Sequence, residues 1–118
     1  MATNNRPVRA GIRGNGLPKL RHALANLIPF TTSGALRGEI RNPNGWPPSS
    51  GLPNCDERTR MEEDHGASGI VYVVWSYATP IGWVRADGEV YVVRQRFSVT
   101  TGRHRSFLYL LNRPDLAW

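Results

Sequence analysis

The chain has 118 residues, 40% of them hydrophobic, with 12 glycines and 9 prolines. This length fits one domain and is enough to fold without disulfides or metals. No apolar run approaches the roughly 18 residues of a membrane span, and the polar first residues lack the apolar stretch of a secretory signal. We therefore expect a single-domain, soluble, cytoplasmic protein with no membrane partner.

The formal net charge is +6, and among the 15 basic residues only Lys19 is a lysine. Arginine binds phosphates and carboxylates through its fork of N–H groups and stacks on aromatic rings. The bias is therefore compatible with an anionic partner. The alternative explanation is codon usage, because a GC-rich genome enriches arginine, glycine, alanine and proline together.

In chain order, the first predicted element is a flexible basic arm over residues 1–16, which carries arginines among asparagine, glycine and proline. Such an arm is either a disordered tail or a contact to nucleic acid. Leucine and isoleucine at three-and-four spacing predict a helix over 17–28. Pro18 is tolerated in its first turn, and Pro29 limits its extension.

Residues 30–40 predict a turn followed by a short strand. Residues 42–54 predict a long loop, because nearly all of them are Pro, Gly, Ser or Asn. Trp46 and Leu52 are the exceptions, so we expect them to hold part of this loop against the core. Residues 55–64 are charged and mostly acidic, which favours a short exposed helical turn.

The second half of the chain predicts a sheet and a second helix. Residues 70–77 are apolar on both alternating faces, which is typical of a central strand covered on both sides. Residues 80–85 and 89–95 flank an Asp-Gly pair at 87–88, the strongest short signal for a β-hairpin. Residues 100–111 predict a helix that one of the two threonines at its start would cap.

Together these elements predict an α+β fold: a small antiparallel sheet of three to four strands with two helices packed on it. We assign the sheet and both helices to one domain over residues 17–118, preceded by the arm at 1–16. The Pro/Gly-rich loop at 42–54 lies within that domain.

Two stretches of the second half have a recognisable pattern. Residues 76–83 read S-Y-A-T-P-I-G-W, and residues 98–104 read S-V-T-T-G-R-H. This order resembles an uncharacterised domain family common in bacteriophages of actinobacteria, with the pattern S-Y-x-T-P-I, a hairpin, then S-x-T-T-x-R-H. Phe30 and the Leu-Arg-Gly at 36–38 resemble its upstream piece. The resemblance implies a phage-encoded, cytoplasmic, small α+β protein without an established activity, and the long loop before the strand departs from it.

The start of the second helix is a candidate anion site. A helix beginning near Gly102 would leave its first amides unpaired. Arg103 and Arg105 would then oppose the helix dipole in the first turn, which suggests a compensating partner. Thr101, Gly102, Arg103 and Arg105 are therefore candidates for binding nucleic acid or another anion. An internal carboxylate or simple solvation would equally compensate the two arginine charges at the helix start.

A sheet face is the second candidate surface for nucleic acid. Arg94 and Arg96 alternate on one predicted strand, with Arg85 on its neighbour. Trp83 and Tyr91 are near in sequence, so the face could form a basic, aromatic surface that binds single strands. Three arginines on one sheet face are also compatible with an ordinary solvated surface.

No catalytic motif is present. Cys55 is the single cysteine, the histidines at 22, 65 and 104 are scattered, and neither a zinc spacing nor a phosphate loop occurs. His104 lies on the apolar face of its helix, so we expect a buried hydrogen-bonding residue, with Ser98, Thr100 or Tyr77 as its partner. The sequence therefore predicts no enzyme, no metal and no cofactor.

Three functions follow from these observations. The first is an accessory phage protein that binds DNA or RNA through Arg94, Arg96, Arg103 and Arg105, with the arm as a further contact. The second is a protein that binds and modulates a host protein through the Trp46 loop or an exposed sheet edge. The third and most distant is a hydrolase that uses His104. The oligomeric state does not follow from the sequence.

Overall fold

The computed structural model describes residues 7–41, 55–94 and 98–116. The strands are β1 (Val8–Arg9), β2 (Phe30–Thr31), β3 (Leu36–Ile40), β4 (Ile70–Ser76), β5 (Thr79–Arg85) and β6 (Val90–Val92). The helices are α1 (Leu17–Asn26), α2 (Cys55–Ala67) and α3 (Val99–Arg105). The strands form one sheet in chain order, from β1 at one edge to β6 at the other. β1 is parallel to β2 and the other neighbours are antiparallel, so the sheet is mixed.

This architecture shows that the predicted fold class was wrong. A six-stranded mixed sheet with three helices among the described residues replaces the expected antiparallel sheet of three to four strands with two helices. The additional strands β1 and β2 have two residues each, which is too short for an alternating pattern. β1 joins the sheet through its backbone, because Ala10 N donates to Thr31 O at 2.8 Å. In the segment expected to be a flexible arm, residues 8 and 9 thus form a strand and Ala10 is buried.

Several local predictions are confirmed. The first helix begins at Leu17 and ends at Asn26, two residues earlier than expected. The hairpin turn lies at the Asp-Gly pair, where Gly88 has a φ of 93°, a conformation that glycine adopts without strain. The second predicted helix is α3, which is shorter than expected and is followed by a 3-10 turn over Leu108–Leu110.

One face of the sheet packs against α1 and the C-terminal segment. This core contains buried aromatic and aliphatic residues from all three parts: Leu20, Leu24, Phe30, Leu36, Tyr72, Val74, Ile81, Val84, Leu108, Leu110 and Leu111. Tyr72 adds a polar link, because its hydroxyl donates to Ile28 O at 2.7 Å. The segment around residues 108–111 therefore packs on the same side of the sheet as α1.

The other face of the sheet is covered by α2. The expectation of a short exposed helical turn was wrong, since α2 has 13 residues and buries Glu57, Met61 and Asp64 against the sheet. These three positions share one helix face at a spacing of four and three. Two of them are acidic, so the buried stripe carries no apolar periodicity. The sheet thus lies between two helical layers.

Candidate functional site

A groove of about 720 Å³ lies between the outer edge of β6 and α3. On the strand side it is lined by residues 90–94, and on the helix side by Gly102, Arg105 and Ser106. None of these described lining residues is acidic. The groove is therefore an open, basic channel that runs beside a sheet edge.

The edge of β6 presents unpaired backbone groups to this groove. In the part of the chain that the structure describes, β6 pairs with β5 alone. Val93 N donates to Ile81 O at 2.9 Å, and bonding alternates along an antiparallel pair. Val90 and Val92 consequently direct their N–H and C=O groups away from β5. Such an edge is a template for another strand.

Two arginines give the groove its charge. Arg94 is exposed two residues after the end of β6. Arg105 is half-buried, and its Nη1 donates to Val93 O at 3.2 Å, which connects α3 to the strand. Arg103 is exposed on the same helix but does not line the groove. An extended anionic chain in the groove would lie against Arg94 and Arg105.

The strand side of the groove is held in place by α2. Tyr91 OH donates to Glu57 Oε2 at 2.6 Å, and Arg94 N donates to Oε1 of the same carboxylate at 3.0 Å. The guanidinium of Arg60 lies over the Tyr91 ring, 4.3 Å from its centroid. Burial and the Glu57 carboxylate raise the pKa of Tyr91 to about 12. The edge strand is therefore fixed by contacts behind the groove, and no described strand pairs with it in front.

The structure brings together three of the six predicted site residues. Arg94, Gly102 and Arg105 line the groove. Thr101 instead faces inward, and its side chain is buried. Arg96 lies outside the described residues, so its position relative to the groove is not part of the structure.

The anion site expected at the start of the second helix rests on a wrong helix start. α3 begins at Val99, and the expected threonine cap is replaced by Ser98, whose Oγ accepts from Thr101 N at 3.3 Å. Arg103 and Arg105 therefore lie in the last turn of α3, where cations complement the helix dipole. The compensating partner that their expected position required is no longer needed.

The expected aromatic surface for single strands is also wrong. Trp83 is fully buried beneath α2, and its Nε1 donates to Asp64 Oδ2 at 2.8 Å. Arg85 contacts the same carboxylate and also pairs with Asp87 at 2.5 Å. Tyr91 is engaged by α2 as described above. Trp83 and Tyr91 thus belong to the packing between the sheet and α2 and offer no stacking platform.

His104 is a buried hydrogen-bonding residue, as predicted, but its partner differs. It is 4% exposed, and its Nδ1 lies 2.8 Å from Ser76 Oγ, which in turn lies 3.1 Å from Thr101 Oγ1. Ser76 follows Tyr72 and Val74 in the alternation of β4. That alternation was the available signal for Ser76, because it places the hydroxyl on the face against which α3 packs.

Burial and one neighbouring charge affect the protonation of His104. Burial, and then the nearby positive charge of Arg103, lower the pKa of the imidazole. Its ring is therefore neutral near pH 7. Ser76 is 1% exposed, so its hydroxyl orients the ring and is closed to a substrate.

The described residues contain neither a cluster of metal ligands nor a membrane-spanning helix. No group of three or more His, Cys, Asp or Glu residues there is placed to hold a metal ion. No helix in that part of the chain is long and apolar enough to cross a membrane.

The fold is a three-layer domain with a mixed sheet between helices, and among the described residues the β6 edge beside α3 has no further strand partner. The chain belongs to a family of unknown function (DUF8033), whose model matches residues 31–112. The match contains the whole groove and begins after α1. A search of curated proteins and a search of solved structures found no significant match to the chain.

Proposed function

We propose that the protein is a binding module for an extended, acidic segment of a partner protein, which pairs with β6 as a seventh strand. The observation that supports this proposal is that the backbone N–H and C=O groups of Val90 and Val92 point away from β5 into the groove. Strand addition obtains its affinity from main-chain hydrogen bonds and its specificity from side-chain contacts. Arg94 and Arg105 favour acidic side chains on the added strand.

The affinity expected for this mode is modest. Val90 and Val92 each offer one N–H and one C=O, and a hydrogen bond contributes about 0.5–1.5 kcal/mol net. Ordering an extended peptide opposes this gain. With a contribution from the two arginines, we expect a Kd of roughly 10 µM to 1 mM for a short peptide.

Nucleic acid is the second candidate, and the net charge of +6 with exposed Arg94 and Arg103 favours it. Because Trp83 is buried, such binding would rest on phosphate contacts, with Arg96 and the first 16 residues as further contributors. Its affinity would fall steeply with salt, since neutralised phosphates release counterions. A strand pairing with β6 depends much less on salt.

Further parts of the proposal rest on the resemblance to phage proteins. We propose that the chain is an accessory protein encoded by a bacteriophage and that its partner is a host protein in the bacterial cytoplasm. The loop around Trp46, an alternative contact, lies outside the described residues. We propose binding rather than catalysis, because the Ser76 hydroxyl beside His104 is closed to a substrate.

The experiment is fluorescence anisotropy with a labelled peptide in which Val and Thr alternate with Glu. A peptide with Lys in place of Glu is the charge control, and single- and double-stranded DNA and RNA are measured at two salt concentrations. Val92→Pro removes one outward N–H and leaves the bond from Val93 to Ile81 in place, as proline on an edge strand allows. Val92→Ala keeps the N–H and is the matched control.

We expect the acidic peptide to bind to the natural protein, to bind about three- to tenfold more weakly to the V92P variant, and to bind nearly as well to V92A. Arg94→Glu should weaken peptide binding more than Arg21→Glu does, although the latter makes an equal charge change on α1. Binding of nucleic acid alone, unaffected by V92P, would establish the second candidate. Equal affinity of V92P and V92A for the peptide would refute strand addition.

A further inference from the structure

A second cavity, of about 300 Å³, has His104 in its wall. Apart from His104, it is lined by two short segments, residues 11–13 and residues 32–34. It shares no described lining residue with the groove beside β6. The strand-addition proposal makes no use of it.

The imidazole of His104 is held with one nitrogen available. Nδ1 is occupied by Ser76 Oγ at 2.8 Å, which fixes the ring through the bond from Ser76 to Thr101. Nε2 has no hydrogen-bond partner among the described residues, and it is not sealed from solvent as Trp75 Nε1 is. A ring nitrogen that reaches solvent can form a hydrogen bond with water or with a ligand. The cavity is where a partner for Nε2 can lie.

The remaining polar groups of the wall also favour an anion. Arg13 is exposed at the mouth, and within the described chain no carboxylate lies within salt-bridge distance of it. Ser33 contributes an exposed hydroxyl, whereas the Thr32 hydroxyl already donates to Leu36 O at 2.8 Å. None of the described lining residues is acidic. The wall thus combines a cation with hydrogen-bond donors.

The segment that carries Arg13 has a defined shape. Gly11 N donates to Gly16 O at 3.1 Å, which closes the turn around Arg13. A Cβ on Gly16 would lie 2.5 Å from Gly11 N, so the turn requires glycine at that position. Arg13 is therefore presented from a closed turn rather than from an extended tail.

We propose that this cavity binds a small oxyanion, a phosphate or a carboxylate group, through His104 Nε2, the Arg13 guanidinium and the Ser33 hydroxyl. Arginine binds both oxyanions through two parallel N–H groups. With the Ser76 hydroxyl donating to Nδ1, the neutral imidazole carries its proton on Nε2 and donates it to the oxyanion. The proposal is independent of strand addition at β6.

The bound anion should change the titration of His104. Burial, and then the positive charge of Arg103 from α3, disfavour protonation of the imidazole, and Arg13 from the turn lines the same cavity. An anion bound in the cavity favours the imidazolium. Binding should therefore raise the pKa of His104 and become tighter as the pH falls.

The test is NMR of the His104 ring during titration with inorganic phosphate, and separately with acetate. We expect a saturable shift of the ring signals and a raised His104 pKa at saturation. Arg13→Gln should weaken binding about tenfold, as loss of a charge-assisted contact does. Arg21→Gln is the matched control, since it removes one exposed charge from α1 and should leave the affinity unchanged.

Each outcome decides a part of the proposal. Saturation by phosphate alone assigns a phosphate group, saturation by acetate alone assigns a carboxylate, and saturation by both assigns oxyanions in general. Absence of a saturable change at His104 with either probe would overturn the proposal. Equal affinities of the R13Q and R21Q variants would do the same. Because R13Q changes an exposed side chain, loss of folding does not confuse the result.

Discussion

The carboxylate of Asp64 is the main polar connection between α2 and the sheet. It is buried and accepts hydrogen bonds from Trp83 Nε1 at 2.8 Å and from Arg60 Nε at 3.1 Å, while Arg85 Nη1 lies 3.4 Å away. Asp64→Ala removes the acceptor and leaves the indole N–H of Trp83 buried beneath α2. It also leaves Arg85 without this partner in a half-buried position.

The magnitude follows from that geometry. Removing the Asp64 carboxylate costs about 2–4 kcal/mol, because the Trp83 N–H stays buried without an acceptor, whereas the half-buried Arg85 keeps Asp87 as a partner. Asp64→Asn keeps an acceptor for Trp83 and removes only the charge, so we expect about 1–3 kcal/mol. Domains of this kind have a total stability of roughly 5–15 kcal/mol. The alanine variant should therefore lose a large part of its free energy of unfolding.

The assay is urea denaturation followed by tryptophan fluorescence, to which all four tryptophans contribute, Trp83 beneath α2 among them. The control is Glu63→Gln, a charge loss of equal size at an exposed position of α2, with an expected change within about 0.5 kcal/mol. The reasoning requires the order Asp64→Ala, Asp64→Asn, Glu63→Gln from most to least destabilised. A loss below about 1 kcal/mol for Asp64→Ala would show that this carboxylate does not hold α2 on the sheet.

Two further predictions concern titratable groups. Burial lowers the pKa of His104 in the folded state, so at a pH just below the ordinary histidine pKa the unfolded chain binds more protons than the folded one. The free energy of unfolding should therefore fall as the pH drops through about 6.5 toward the folded-state pKa. His104→Gln should lessen this pH dependence in urea titrations between pH 7 and about pH 5, and an unchanged pH dependence would contradict the prediction. Tyr91→Phe removes the hydrogen bond to Glu57 and should lower the free energy of unfolding by about 1–2 kcal/mol. In ultraviolet absorbance titrations, the natural protein should show a tyrosine that ionises near pH 12, and the variant should lack it.

How far the sequence predicts this fold depends on whether each buried face is apolar. α1 was predictable because leucines mark its buried side, and the hairpin because Asp87 and Gly88 specify the turn. The extent and burial of α2 were not, because Glu57 and Asp64 occupy two of its three buried positions and satisfy tyrosine and tryptophan from the sheet. The burial of these acidic residues is explained only by the hydrogen-bond donors on the sheet, which the sequence does not place beside them.

The sequence predicted some of the residues that line the groove, but it did not predict how they are arranged. Arg94 and Arg105 were candidates for their charge, but their proximity depends on α3 beginning at Val99 and folding back beside β6. The start at Val99 rather than near Gly102, together with the end at Arg105, also decides whether the arginines oppose or complement the helix dipole. Ser76 was visible only as part of a pattern, since its role depends on His104, 28 positions away in sequence.

The two proposed sites differ in the parts of the chain that they need. Every residue of the groove lies within 31–112, the span that matches the family model, whereas the cavity beside His104 also needs Arg13 and its turn, which precede that span. Strand addition at β6 can therefore be a property of the matched domain by itself. The oxyanion site depends on an N-terminal segment that the match does not include, and its charge comes largely from there. Failure of either test consequently leaves the physical argument for the other intact.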